Sequence, residues 1–228
     1  MNIAFYAPMK PPDDVIPAGD LRMSHALVSA LDEYGHRVEI ASSFRSREPE
    51  GSPVKQEIMR SEGAMIARDL ISKYSLRGKR PDLWFTYHVY YKAPDWIGPL
   101  VAQTLKIPYV VAEASHAPKR AGGPWDLSYQ HVMRTIQEAD LVIGLNSVDA
   151  KCIRPLLRSA DMYLQLKPFL DLPSYCPAEK AELRYKYAEN FDLDVSKVWF
   201  LTAAMMRKGA KQRSYEILSR SLNLIDQS

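Results

Sequence analysis

Two cysteines in 228 residues, Cys152 and Cys176, with no C-x-x-C spacing and no Cys/His cluster, leave no basis for a disulfide framework or a zinc site. Long apolar runs are missing too. The opening Asn2-Ile3-Ala4-Phe5-Tyr6-Ala7 meets Lys10 and two prolines at once, too short for a signal-peptide core, and no stretch approaches the roughly 18 apolar residues of a membrane span. Nor is there a surplus of one charge. Thirty Lys and Arg stand against 27 Asp and Glu, interspersed, for a net +3, which excludes a nucleic-acid-binding profile and makes any attraction to an anion local. No repeat, low-complexity tract or G-x-G-x-x-G fingerprint occurs. These absences lead to the expectation of a reduced, cytoplasmic protein with no metal and no cofactor.

What is present is 46% hydrophobic and 25% charged residues, an ordinary globular balance, arranged as short apolar runs alternating with longer amphipathic segments. That alternation is the signature of parallel strands joined by crossover helices. Strands are expected near residues 2–7, 37–41, 82–86, 108–112, 140–144 and 162–166, and helices over roughly 21–35, 54–77, 94–106, 125–139 and 147–158. The first helix shows the logic: Leu21, Leu27, Val28 and Leu31 share one face, and Gly35 stops it ahead of Arg37-Val38-Glu39-Ile40-Ala41. The fold class is therefore α/β, a Rossmann-like doubly wound parallel sheet of about six strands. In such sheets ligands gather at the carboxyl ends of the strands, so the loops starting near Pro8, Tyr87, Glu113 and Asn146 are the ones to read for function.

Three prolines fall within Lys167-Pro168-Phe169-Leu170-Asp171-Leu172-Pro173-Ser174-Tyr175-Cys176-Pro177, which reads as a linker. The expected organisation is a first domain over 1–167, a linker over 168–178 and a second Rossmann-like domain begun over 179–228 but incomplete. That second part would hold a polar helix near 178–190, a strand at 197–202 and a helix near 211–224, too little to bury a sheet of its own.

Candidate site residues lie in the expected edge loops. Gly19 stands just ahead of the first helix, where a backbone can approach a phosphate, and Arg22 sits on its first turn; the same loop also reads as a proline-rich surface turn capped by Asp20. Thr86-Tyr87-His88-Val89-Tyr90-Tyr91-Lys92 brings aromatics suited to stacking on a sugar, with His88 either a site residue or a packed scaffold residue. Glu113-Ala114-Ser115-His116-Ala117-Pro118-Lys119-Arg120 offers an acid and a histidine for acid/base or hydrogen-bonding roles, and two cations for an anionic acceptor or a donor phosphate. The alternative there is a solvated loop ahead of a helix start at Asp126. Near the end, Val198-Trp199-Phe200-Leu201-Thr202 leads through Arg207 and Lys208 to Lys211, a strand, basic turn and helix fit for an anion. His36 and His131 lack an i+4 ligand partner and read as structural. Lys55, Arg60, Arg68, Lys73 and Arg77 among apolar residues of the 54–77 helix suit either a solvated face or peripheral contact with anionic lipid.

In order and spacing these pieces resemble the GT-B retaining glycosyltransferases of family 4. The resemblance is carried by Ile3-Ala4-Phe5-Tyr6-Ala7-Pro8 and by Ala18-Gly19-Asp20-Leu21-Arg22, where the family usually has Gly-Gly-x-x-Arg. It continues through Leu31-Asp32-Glu33-Tyr34-Gly35-His36-Arg37-Val38, close to L-x-x-x-G-H-x-V. Further on come Pro81-Asp82, Ile107-Pro108-Tyr109-Val110-Val111, Ala139-Asp140-Leu141-Val142-Ile143 and the Arg207 to Lys211 turn. The sequence departs from the pattern in three places. Glu113 stands where the family often has a His, with His116 three residues later. Arg207 and Lys211 are one residue closer than usual, with Gln212 in place of Gly. The family's paired glutamates, spaced E-x7-E, would fall past Ser228.

The resemblance implies an acceptor-binding first domain, a nucleotide-sugar-binding second domain, and transfer between them with retention. By position it implies donor-phosphate contacts at Arg207 and Lys211; taken with the edge-loop candidates, the expected site adds Gly19 on the donor phosphates, Arg22, His88, Tyr90, Lys119 and Arg120 on the acceptor, and Glu113 and His116 as catalytic candidates. The partners would be a nucleotide diphosphate sugar and an acceptor glycan, lipid or small molecule, with no nucleic acid and no assigned oligomeric state. The runner-up is a non-catalytic relative that binds a glycan or a partner subunit. A nucleotide-sugar epimerase of the same architecture is a third reading.

Overall fold

The computed structural model describes residues 1–15, 18–169, 177–202 and 208–224. Six parallel strands, β1 (Asn2–Tyr6), β2 (Arg37–Ser42), β3 (Leu83–Val89), β4 (Tyr109–Ala114), β5 (Leu141–Gly144) and β6 (Tyr163–Gln165), form one sheet in the order β2-β1-β3-β4-β5-β6. Crossovers are made by α1 (Gly19–Glu33), α2 (Pro53–Tyr74), α3 (Gly98–Leu105), α4 (Asp126–Glu138) and α5 (Ser147–Ile153). The expected Rossmann-like doubly wound sheet is what the chain forms.

Apolar alternation sets which side of each strand faces which helix. Ile3 and Phe5 of β1 and Phe85 and Tyr87 of β3 pack with Leu27 of α1, whereas Ala4, Tyr6 and Trp84 pack with α2, α3 and α4 through Leu70, Tyr74, Val101, Val132 and Ile136. Crossovers in parallel sheets are right-handed, so reversing direction after β2 places α1 on one face and the next helices on the other. Each large apolar side chain fully withdrawn from water contributes about 1.5–3 kcal/mol. Phe5 stacks on Phe85 at 5.5 Å in register across β1 and β3. Gly35 takes φ 78°, and its N–H and that of His36 return to Asp32 and Leu31 carbonyls, closing α1 as the sequence predicts.

Helix boundaries differ from expectation where a side chain or a proline intervenes. α3 starts at Gly98 rather than 94, because the buried Asp95 carboxylate turns back to accept the N–H groups of Ile97 and Gly98 at 2.9 and 2.7 Å. The other Asp95 oxygen accepts from Thr86 at 2.6 Å and Tyr109 at 2.8 Å. Gly98 is required there, since a Cβ would lie 2.2 Å from the Asp95 carboxylate and 2.4 Å from the Trp84 ring nitrogen. α5 gives way after Ile153 to a 3-10 turn over Arg154–Leu156, as Pro155 has no N–H to continue the ladder. β3 and β4 run to Val89 and Ala114, so His88 and Glu113 are strand residues, not loop residues.

The chain divides into two compact units, Met1–Asp171 and Leu172–Ser228. In the second, α6 (Pro177–Phe191) and α7 (Ala210–Leu222) are the helices found among the described residues. Arg184 on α6 donates to the Val195 and Lys197 carbonyls and lies 4.1 Å from the Trp199 ring centroid, tying the following turn to the helix. The strand expected at 197–202 is not formed: the described residues of this unit hold no strand, so no neighbour is present to accept its ladder hydrogen bonds. No helix among the described residues is long and apolar enough to cross a membrane.

Candidate functional site at the carboxyl edge of the sheet

The chain leaves β1 toward β2 and leaves β3 toward β4, in opposite directions, so a crevice opens between the carboxyl ends of these neighbouring strands. One wall is the start of α1. Its N-cap, Ala18, is extended and supplies no side-chain hydrogen bond, and nothing lies within 4 Å of where a Cβ on Gly19 would be. The N-terminus of this 15-residue helix thus carries the positive end of its dipole with no side-chain cap.

The other wall is built on strained backbone. His88 has φ 65° and Glu113 φ 59°, and they oppose one another, since pairing holds on either side at Tyr87 with Ala112 and Val89 with Ala114. A left-handed residue other than glycine costs roughly 1–3 kcal/mol and persists where the surroundings demand it. Here the twist re-aims two chemically active side chains at the strand ends. His88 Nδ1 lies 3.3 Å from Asp20 Oδ1 on the first turn of α1, an ion-pair distance short of a well-directed hydrogen bond. Burial lowers the His88 pKa, but the Asp20 contact and the charges of Glu113, Asp20 and Asp149 outweigh it and the net shift is upward. Burial and then the Glu113 carboxylate push the Tyr87 hydroxyl upward, so it stays protonated. The edge thus presents an imidazole whose protonated form is favoured, a phenol donor and carboxylate acceptors together.

From His88 a chain of aromatic contacts leads outward: to Tyr90 at 5.4 Å, then Tyr91 at 5.4 Å, then Trp125 at 5.5 Å. Arg120 stacks over Tyr91 at 4.7 Å and Trp125 at 5.4 Å.

Of the residues singled out from sequence, the edge thus brings together Gly19, His88, Tyr90 and Glu113, with Arg120 at the far end of the aromatic path. Arg22 and Lys119 are exposed. His116 is drawn to α4, stacked on Tyr129 with Nε2 3.0 Å from its hydroxyl, and burial lowers its pKa, so it is neutral at pH 7. His131 is structural as expected, stacked on Trp96 and bonded to the Asp95 carbonyl at 2.7 Å. Lys211 is exposed on α7 of the second unit, and Arg207 lies outside the described residues. Lys55, Lys73 and Arg60 of α2 are paired at 2.5 Å with Glu50, Glu39 and Glu57.

From sequence Asp20 reads as a cap and Tyr87 and Tyr91 only as members of an aromatic run suited to stacking on a sugar, while Arg47 and Trp125 carry no assigned role. The first is legible as an acid four residues from Ser24 on a helix that faces β3 only once the strand order is known. Arg47 carries no local signal at all. A roomier hollow of about 390 Å³, lined by Lys106, Tyr109, Asp140 and Arg158 among others, opens at the amino ends of β4 and β5. Its Arg158 and Asp140 are already paired at 3.4 Å, and it lies at the end of the sheet opposite the one where such folds bind ligands. Among the described residues no group of three His, Cys, Asp or Glu is placed to hold a metal ion.

No known family profile matches the chain, and no curated protein matches it in sequence. Among solved structures it is similar to Anabaena Alr3699/HepE, crystallised in complex with UDP, with a TM-score of 0.45 and 14% identity over 82% of this chain and 50% of that one. The chain thus spans about half the length of that protein. At this level of similarity the likeness carries no functional argument, and the fold assignment stands on the topology of the sheet itself.

Proposed function

We propose that this chain is part or all of a sugar transferase that uses a nucleotide diphosphate sugar, with its acceptor held at the carboxyl edge of β1, β3 and β4. The observation that carries this is the pair of left-handed residues, His88 and Glu113, set side by side next to the first turn of α1, which no side chain caps. The order of sequence pieces that resembles family 4 glycosyltransferases adds the reaction class.

In the transfer, the bond from the anomeric carbon to the diphosphate oxygen breaks and one to an acceptor hydroxyl oxygen forms; the hydroxyl proton leaves with the nucleoside diphosphate or to solvent. Negative charge grows on the leaving diphosphate. Cations and helix N–H groups fixed in advance stabilise that growing charge more than the ground state, which lowers the barrier. Gly19 takes this part in the first unit; Arg207 and Lys211 are donor-phosphate candidates by the sequence resemblance alone, and retention at the anomeric carbon follows from the same resemblance. His88 and Tyr90, with Arg22, Lys119 and Arg120, face the acceptor. Glu113 accepts a hydrogen bond from a sugar hydroxyl at this edge; His116, paired with Tyr129, is the weaker of the two catalytic candidates.

The native protein carrying this chain, given UDP-, GDP- or ADP-glucose with candidate acceptors, is expected to release nucleoside diphosphate. His88→Ala should lower the rate on the order of a hundredfold, as removal of one preorganised donor does. Unchanged turnover in His88→Ala and in Arg207→Ala would overturn the assignment. A second reading, glycan or partner binding without turnover, is favoured by one observation: the second unit contributes two helices and no sheet among its described residues. Binding of a glycan with no nucleotide release from any donor is its outcome.

A further inference from the structure

Among the described residues of the first unit most Lys and Arg side chains are exposed to water, and the buried Lys10 is paired with Asp14 at 3.5 Å. Three stand between these cases. Arg47, Lys92 and Arg120 are half-buried, and none forms an ion pair with a carboxylate among the described residues. The nearby acids are committed elsewhere. Glu48, fully buried, accepts the backbone N–H groups of Glu50, Gly51 and Ser52 at 2.9, 2.6 and 3.1 Å. Asp126 accepts from Gly122 at 2.7 Å and Gln130 at 3.4 Å. The Nε groups of both Arg47 and Arg120 are buried without a hydrogen-bond partner. Withdrawing cations from water without a counter-charge is unfavourable, and stacking on aromatics returns only part of that cost.

The three cations surround one aromatic wall. Arg47 interacts with the Tyr90 hydroxyl, Lys92 Nζ lies 4.6 Å from the Trp125 ring centroid, and Arg120 lies over Tyr91 and Trp125. Their backbone is fixed beforehand. Tyr90 and Ala93 exchange backbone hydrogen bonds at 3.3 and 2.8 Å, holding Tyr91 and Lys92 at the tip of a tight turn. That turn is locked to the Arg47 loop through Glu48 N–H to Lys92 carbonyl at 2.7 Å, and the Arg47 loop is in turn tied to Trp125, whose Nε1–H donates to the Glu48 carbonyl at 3.0 Å.

We propose that Arg47, Lys92 and Arg120 form an oxyanion subsite that selects an acceptor sugar bearing a phosphate or carboxylate. Guanidinium groups match such oxyanions with paired N–H donors, and the orphan Nε groups are those donors. The sugar ring lies along Tyr90 and Tyr91, which lead to His88. That this anionic sugar is the acceptor rests on the transfer reading; the oxyanion site itself does not.

The test titrates the isotope-labelled protein with glucose 6-phosphate, glucuronate and methyl glucoside while following the arginine Nε–H resonances. Both sugar anions are expected to shift the Arg47 and Arg120 signals, methyl glucoside is not, and the apparent affinity falls as salt is raised. Arg47→Gln and Arg120→Gln should each weaken anion binding about tenfold or more, while Arg60→Gln on α2 leaves it unchanged. Should one arginine variant fail to fold, the other gives the same answer. The subsite is overturned if the neutral sugar binds as well as the anions, if both arginine variants bind as tightly as the parent, or if UDP shifts these two resonances at lower concentration than either sugar anion. Because this readout needs no donor, failed anion binding with intact turnover removes the subsite alone, and intact anion binding with no turnover removes the transfer reading alone.

Discussion

Val110 and Val111 in the first unit are buried to 8% and 0% exposure, while Val198, Phe200 and Leu201 in the second stand 83, 81 and 92% exposed. Both stretches read as strands from composition. The difference is what lies beside them: Val110 and Val111 pair with Phe85 and Thr86 on one side and with Leu141 and Val142 on the other. Residues 198–202 have no strand among the described residues of their unit to pair with. Apolar, β-branched sequence proposes a strand, and neighbouring strands make it one.

The contrast is sharpened by unfolding experiments that touch both units. Asp95→Ala leaves the Thr86 and Tyr109 hydroxyls and the Ile97 and Gly98 N–H groups without their shared acceptor. It should destabilise the protein by about 3–5 kcal/mol in urea unfolding, the range for removing one partner of a buried charged network. Leu201→Ala, at an exposed position, should change stability by no more than about 0.5 kcal/mol in the same measurement. A loss of several kcal/mol at Leu201 would mean that residues 198–202 are buried in solution and that the contrast is false.

Between these extremes lies the site itself. His88 is held protonated above its ordinary 6.5, against the downward pull of burial, by Asp20 and by the charges of Glu113 and Asp149. A raised folded pKa favours the charged form, so this contribution to stability is full below pH 6.5 and is lost as pH rises through the folded value. In Asp20→Asn, nuclear magnetic resonance titration of the His88 ring should give a lower pKa than in the parent, and the stability gained toward acid pH in this range should shrink. An unmoved His88 pKa would show that Asp20 is not its partner.

Much of the sheet was legible in sequence because its strands are short apolar runs bounded by turn residues, as at Pro108-Tyr109-Val110-Val111-Ala112, and helices such as α1 keep one apolar face. Gly19, His88, Tyr90 and Glu113 could be named from the rule that carboxyl-end loops bind ligands. Their joint geometry could not. The left-handed backbone of His88 and Glu113 comes from paired strands distorting together, which no local propensity encodes, and the Asp95 network depends on Thr86 and Tyr109 meeting across β3 and β4. Arg47 was invisible for a similar reason, since its role comes from three loops interlocking.

The central claim is that a nucleotide diphosphate sugar is handled at the carboxyl edge, beside α1 and His88. Adding UDP, GDP and ADP in turn to the labelled protein and mapping the amide shifts tests it most directly. One of the nucleotides is predicted to move the Gly19 and Asp20 amides and the His88 ring signals, with its parent nucleoside leaving them in place. Shifts confined to the hollow around Lys106, Asp140 and Arg158, or none from any of the three, would contradict it.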